Sequence, residues 1–143
     1  MPTVFVLNGP NLNLLGTREP EIYGAQSLDD IARDLHARAD ELGLTLDMRQ
    51  SNHEGHLIDW LHEAGQADAK AVLLNPGGYS HTSVAIRDAV AAIAVLVIEI
   101  HLSNPHAREH FRHRSLISAV ARGSISGFGA LSYRLALDAA ALL

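Results

Sequence analysis

The chain of 143 residues contains no cysteine. A disulfide framework, a Cys-ligated zinc or iron–sulfur site and a thiol nucleophile are therefore excluded, and the composition leans toward a reducing compartment. Lysine is almost as scarce. Lys70 is the only one, and it precedes a predicted strand, at the wrong end of a sheet for a ligand site, which argues against Schiff-base catalysis. Eleven basic side chains stand against 16 acidic ones, a net charge of -5, so no global basic footprint marks a nucleic-acid partner. The longest apolar run, Ala89 to Ile98, is about half of the roughly 20 residues needed to cross a bilayer and reads as a buried strand entered from a helix. The first residues lack a basic stretch followed by an apolar one, so no secretory signal or membrane partner is expected and the predicted location is cytoplasmic. With no low-complexity tract, solenoid-period repeat or Ser/Pro-rich linker, residues 1–143 are expected to form a single domain.

What the chain does have is a regular alternation. Short aliphatic runs at Thr3 to Leu7, Leu44 to Arg49, Ala71 to Leu74 and Ala94 to Ile100, with a weaker one at Gly123 to Phe128, suit strands covered on both faces. Helical patterns lie between them. Ser27 with Asp30 predicts a capping box, followed by Leu28, Ile31, Leu35, Ala39 and Leu42 at helical spacing until Gly43. Ser51 with Glu54 predicts a second box ahead of the stripe Leu57, Ile58, Leu61 and Ala64, with Gly65 as its stop. Further helices are expected at about His81 to Ala92 and Ala130 to Leu142. This order predicts an α/β protein: a doubly wound five-stranded parallel sheet with helices on both faces, in the flavodoxin-like order 2-1-3-4-5.

Such sheets bind ligands beyond the carboxyl ends of their strands. Three polar loops rich in turn-forming residues fall there: Asn8 to Gly24, Asn75 to Ser83 and His101 to Ser115. The third holds four histidines and three arginines (Arg108, Arg112, Arg114) between residues 101 and 114 against one acid, Glu109, which points to an anion site. His106-Ala107-Arg108-Glu109-His110 matches an inverted zinc-protease pattern, but the only acid downstream is Asp138, in an apolar helix, so no metal is expected. Gly127-Phe128-Gly129 fails the dinucleotide fingerprint, and no Walker motif or nucleophile elbow is present. No cofactor is expected.

A pocket of Asn, His, Arg, Ser and one loop Tyr suits proton transfer on a small carboxylate. A tyrosine hydroxyl, with an ordinary pKa of about 10, acts as a base near neutral pH only when a nearby cation stabilises its phenolate. Arg18 lies five residues before Tyr23, in a segment with Gly16, Pro20 and Gly24 that has the composition of a closing lid. A packed Tyr23 ring beside a solvated Arg18 fits the pattern as well. Glu99 and His101 share one face of a strand, so the carboxylate can orient the imidazole and favour its charged form, an arrangement for a general acid or a purely structural pair. Asn75 ends its strand in the same way, Gly77 and Gly78 allow close backbone approach, and His81 either contacts a hydroxyl or caps the next helix.

Several long motifs together resemble type II 3-dehydroquinate dehydratase. They are Gly9-Pro10-Asn11-Leu12-Asn13-Leu14-Leu15-Gly16, Arg18-Glu19-Pro20 with Tyr23-Gly24, Gln50-Ser51-Asn52-His53-Glu54-Gly55, Asn75-Pro76-Gly77-Gly78-Tyr79-Ser80-His81-Thr82-Ser83, and Glu99-Ile100-His101-Leu102-Ser103-Asn104, with Ser126-Gly127-Phe128-Gly129. The similarity runs in the family's order from about Val4 to Leu137; the first helix, Pro105, Ala119 and Ser124 diverge. It implies dehydration of 3-dehydroquinate to 3-dehydroshikimate by anti elimination through an enolate, without metal or Schiff base, in the shikimate pathway or quinate breakdown. By motif position, Tyr23 is the implied base, Arg18 its phenolate partner, His101 the acid oriented by Glu99, and Asn11 the holder of a water on the enolate. Asn75, Leu102 and Ser103 are the implied carboxylate site, His81 and Arg112 hold ring hydroxyls, and Arg108 supports the lid or pocket. Asp88 is implied to reach a neighbouring subunit's site in a trimer-based dodecamer. A non-catalytic module binding a small carboxylate is the alternative, and it would not need the Tyr23 hydroxyl or the Glu99 and His101 pair.

Overall fold

The computed structural model describes residues 1–143. Strands β1 (Thr3–Asn8), β2 (Thr45–Gln50), β3 (Ala71–Asn75), β4 (Leu96–His101) and β5 (Gly123–Ser126) form one parallel sheet in the order β2-β1-β3-β4-β5. This is the flavodoxin-like order expected from the pattern. Five helices follow the chain: α1 (Pro20–Tyr23), α2 (Leu28–Leu42), α3 (Glu54–Gln66), α4 (Val84–Ala92) and α5 (Leu131–Leu142). None is long and apolar enough to cross a membrane.

Side chains alternate across a strand, and β1 feeds two cores by that rule. Val4 and Val6 join Ile31, Leu35, Tyr133 and Leu137 beneath α2 and α5, while Phe5 and Leu7 join Leu57, Leu61, Ile86 and Val90 beneath α3 and α4. Each fully buried aliphatic side chain contributes about 1.5–3 kcal/mol. The two layers explain why β1 and β3 read as continuous apolar runs.

The boundaries confirm some signals and correct others. Ser27 and Asp30 form the capping box in full, and Gly43 ends α2 at φ 70°. The second box does not form. His53 occupies the cap of α3, the Ser51 hydroxyl accepts from the His53 N–H instead, and the Glu54 carboxylate turns to the Ser83 hydroxyl. Gly65 is not the stop either; α3 runs on to Gln66 and turns out through Asp68 at φ 52°. The helix expected from His81 splits into a 3-10 turn (Gly77–His81) and α4, which Ser83 caps through the Ile86 N–H. The last strand is two residues shorter than its pattern, and β4 starts two residues later than expected.

The loops after β1 and β3 lock together at the carboxyl edge. The Gly9 N–H donates to the Asn75 carbonyl at 2.8 Å, and a Cβ on Gly9 would lie 2.6 Å from the Pro76 oxygen and 2.8 Å from its carbon. Those are backbone atoms that cannot swing away. Gly77, at φ 59°, leans on Pro10 from the other side. Gly9→Ala is therefore expected to lower stability by about 1–3 kcal/mol, read as the urea midpoint by circular dichroism. An unchanged midpoint would show that the two loops are not locked.

Candidate active site

The carboxyl ends of β1, β3 and β4 carry polar side chains in an otherwise apolar sheet, and each must find a partner. Asn8 and Asn75 are aligned across β1 and β3 and are both buried. Tyr133, fully buried on α5, donates its hydroxyl proton to Asn8 Oδ1 at 2.6 Å and accepts from Asn75 Nδ2 at 2.8 Å. Burial pushes the Tyr133 hydroxyl well above its ordinary range, against the opposing bond from Asn75, so it stays neutral. Asn75 Oδ1 in turn accepts from the Gly77 N–H, which leaves the second amide hydrogen of Asn75 for a ligand.

Above this floor lies a cleft of about 180 Å³. It brings together Asn11, Arg18, Tyr23, Asn75, Gly77, Gly78, His81, His101, Leu102, Ser103, Arg108 and Arg112, which the sequence spreads over about a hundred positions. No carboxylate lines it, whereas three guanidinium groups do. The backbone N–H groups of Leu102 and Ser103, just past the end of β4, have no acceptor within the chain. Unpaired N–H donors beside three guanidinium groups, whose carboxylate partners Glu19 and Glu109 stay outside the cleft, make an anion site.

Tyr23 closes α1, a single turn started by Pro20, and stands between two arginines. The guanidinium carbons of Arg18 and Arg108 lie 4.9 Å and 5.0 Å from its ring centroid. Arg108 also donates to the Ser103 hydroxyl at 3.3 Å. Arg112 is steered by Glu109, which accepts from its Nε at 3.0 Å. His81 donates from Nδ1 to the Arg114 carbonyl at 2.8 Å, an acceptor that fixes its proton there and leaves Nε2 unprotonated, 3.4 Å from the Ser80 hydroxyl.

Glu99 does not line the cleft; it lies behind His101, with no exposed surface. His101 Nε2 meets Glu99 Oε2 at 2.6 Å, and Nδ1 has no partner within the chain. Burial alone pushes the Glu99 carboxyl up, but bonds from His101, Ser115 and Ser118 outweigh it and hold the group below its ordinary value. Glu99 is thus an ionised carboxylate.

Asp88 is the other residue outside the cleft: exposed on α4 and paired with Arg87 at 2.9 Å. The segment holding His106 and His110 forms two 3-10 turns, Pro105–Ala107 and His110–Arg112, so the one-helix geometry behind the metal pattern is missing. No three His, Cys, Asp or Glu side chains are grouped to share an ion. Sequence reasoning missed Tyr133, Ser115 and Ser118. Tyr133 had a signal, as the one large polar tip on the inward face of the last helix; the serines had only their spacing of three. It also missed Asn52, whose side chain accepts from the Asn11 N–H at 3.0 Å and holds the first loop.

Glu99 sets a pH dependence. A carboxyl whose folded pKa lies below its unfolded value of about 4.5 stabilises the fold above that pH and loses this as pH falls through the folded value. Glu99→Gln is expected to be less stable than the parent at neutral pH, with the gap in urea midpoint narrowing from about pH 5 downward. A gap that does not change with pH would mean that Glu99 is uncharged in the fold.

The model of the family described as Dehydroquinase class II matches residues 2–141. The 3-dehydroquinate dehydratase of Phenylobacterium zucineum is 60% identical over 138 residues, covering 96% of this chain and 94% of that protein. That of Brucella canis is 60% identical over 141 residues, covering 99% and 89%. Among solved structures, the type II dehydroquinase of Propionibacterium acnes superposes with a TM-score of 0.97 at 43% identity, over 100% of this chain and 98% of that one. The type II dehydroquinase of Butyrivibrio crossotus gives 0.95 at 39% identity over 97% of each.

Proposed function

The chain belongs to the class II dehydroquinase family, and from that premise we propose that it dehydrates 3-dehydroquinate to 3-dehydroshikimate at the cleft above β1, β3 and β4. The observation that carries the proposal is the pairing of opposite environments in one cleft, which is lined both by a tyrosine between two guanidinium groups and by a histidine backed by a buried carboxylate.

The substrate's carboxylate would take the free N–H groups of Leu102 and Ser103, the Ser103 hydroxyl and the remaining amide hydrogen of Asn75. His81 and Arg112 would hold ring hydroxyls, and Gly77 and Gly78 would let the backbone approach. Tyr23, as phenolate, would remove the C2 proton, with Arg18 and Arg108 stabilising the negative charge before transfer. The electrons move into the ring ketone as an enolate, which a water held by Asn11 would stabilise. His101 would then pass its Nδ1 proton to the departing hydroxyl on the opposite face, keeping Nε2–H on Glu99. One proton leaves carbon and one reaches the leaving oxygen, so water departs in an anti elimination that calls for no imine and no metal. Arg108, touching both the Tyr23 ring and Ser103, would hold the segment from Gly16 to Gly24 as a lid.

Asp88 would serve a neighbouring subunit, since it is exposed and turned away from its own chain's cleft. A trimer is then the working unit and a dodecamer of four trimers the full assembly, in the cytoplasm. Light scattering is expected to find that dodecamer; an active monomer would remove Asp88 from the reaction.

The direct test follows the enone absorbance of 3-dehydroshikimate as it forms from 3-dehydroquinate, with EDTA and borohydride added in parallel. Turnover is expected to survive both. Tyr23→Phe, Arg18→Ala and His101→Ala are each expected to cut kcat by about 10²–10⁴-fold while the melting curve is kept. Near-parental kcat in any of them would sink that residue's role, and folded protein without turnover would sink the reaction.

A further inference from the structure

The buried carboxylate is held by more than the histidine. Ser115 donates to Glu99 Oε2 at 2.6 Å, the oxygen that His101 uses, and Ser118 donates to Oε1 at 2.5 Å. The Ser115 hydroxyl has its own orientation fixed, because it accepts from the Ile117 and Ser118 N–H groups at 3.1 Å and 3.3 Å. With its lone pairs directed at those donors, its proton has one place to go, the carboxylate.

We propose that Ser115, supported by Ser118, is a positioning residue for the elimination: it holds the Glu99 carboxylate in the one orientation that keeps His101 Nδ1 presented to the cleft. The inference rests on the dehydratase reading above. Its physical basis is that an ion without water needs donors for both oxygens. Each donor also lowers the carboxylate's appetite for a proton, so the proton in the bond with His101 stays on the imidazole, where the acid step needs it.

The surroundings offer no substitute. Glu99 is flanked in the sheet by Leu74 on β3 and Ser124 on β5, neither of which titrates. A second cavity behind the pair is lined by His81, His106, Arg112, His113 and Arg114. On the cleft side the charged or titratable neighbours are Arg18, Tyr23, Arg108 and, again, His81 and Arg112. Glu99 is the only carboxylate lining either cavity, so its charge has no stand-in.

The experiment compares kcat, KM and the pH profile of kcat for the parent, Ser115→Ala, Glu99→Gln and the double variant, each checked by thermal melting. Ser115→Ala is expected to lower kcat by about 10-fold or more with KM little changed, and to move the high-pH limb of kcat to lower pH, because a carboxylate free to turn from His101 no longer favours the imidazolium. In the Glu99→Gln background the same substitution is expected to cost little further kcat, because there is no charge left to hold. An equal loss of kcat in both backgrounds, or an unmoved pH limb, would make Ser115 merely structural and overturn the proposal. Ser118→Ala, at an exposed position that water can reach, is expected to act in the same direction by only about threefold, and it carries the test if Ser115→Ala does not fold. Parental protein that never turns over 3-dehydroquinate would defeat the dehydratase reading and the inference with it. An active parent with unchanged serine variants would defeat the inference alone.

Discussion

Tyr133 reaches from the last helix to the ends of two central strands, and its hydroxyl is the only partner that either asparagine side chain finds outside its neighbouring loop and strand. The bonds span 125 and 58 residues of sequence. A buried amide left unpaired costs about 1–3 kcal/mol, so Asn8 and Asn75 are tolerable in the sheet only once α5 has docked. The cleft floor is consequently complete only with α5 in place. From it the rest follows: Asn75 orders Gly77, the Asn75 carbonyl holds Gly9, and the two loops that carry Asn11 and His81 take their places.

The electrostatics of the cleft are arranged front to back. Cations gather at its mouth and on its wall, and no carboxylate enters it. The single buried anion stands behind His101, shielded from any ligand by the ring it orients. An acidic side chain in the cleft would repel a carboxylate ligand, while the same charge one layer deeper serves the acid and leaves the anion site intact. Desolvating Glu99 is the cost of that separation, and three hydrogen bonds offset it.

The sheet was legible because a parallel strand covered on both faces leaves a continuous apolar run, and because Gly43 and Ser27 punctuate α2 by local chemistry alone. Much of the cleft was legible for a related reason: the strand ends are where polar residues stop the apolar runs, and His101, Asn75 and the loop arginines stand there. What failed was short or distant. A four-residue helix such as α1 has too few turns to show a period. Ser51 had the chemistry of a cap, but His56 and the His53 N–H compete for its hydroxyl, and the helix starts two residues later. Ser115 and Ser118 reach Glu99 across 16 and 19 residues, a distance at which no local pattern speaks.

The floor and the wall of the cleft differ in how firmly they are held. The segment from Gly16 to Gly24 leaves and rejoins the body at two glycines with φ of 93° and 92°, and α1 within it buries no residue. Its main tie to the opposite loop is the Tyr23 ring against Arg108, an interaction of about 0.5–2 kcal/mol. Tyr23 also packs against the core beneath α2 and α5, but none of the paired groups of the floor, Asn8, Tyr133 and Asn75, bonds to the segment. Arg108 is held on three sides, by the Tyr23 ring, by the Ser103 hydroxyl at 3.3 Å and by the Glu109 carboxylate at 3.7 Å. One guanidinium therefore links the wall that carries Tyr23 to the loop that follows the end of β4, where His101 and Ser103 stand, so the placement of both groups across the cleft depends on the same side chain.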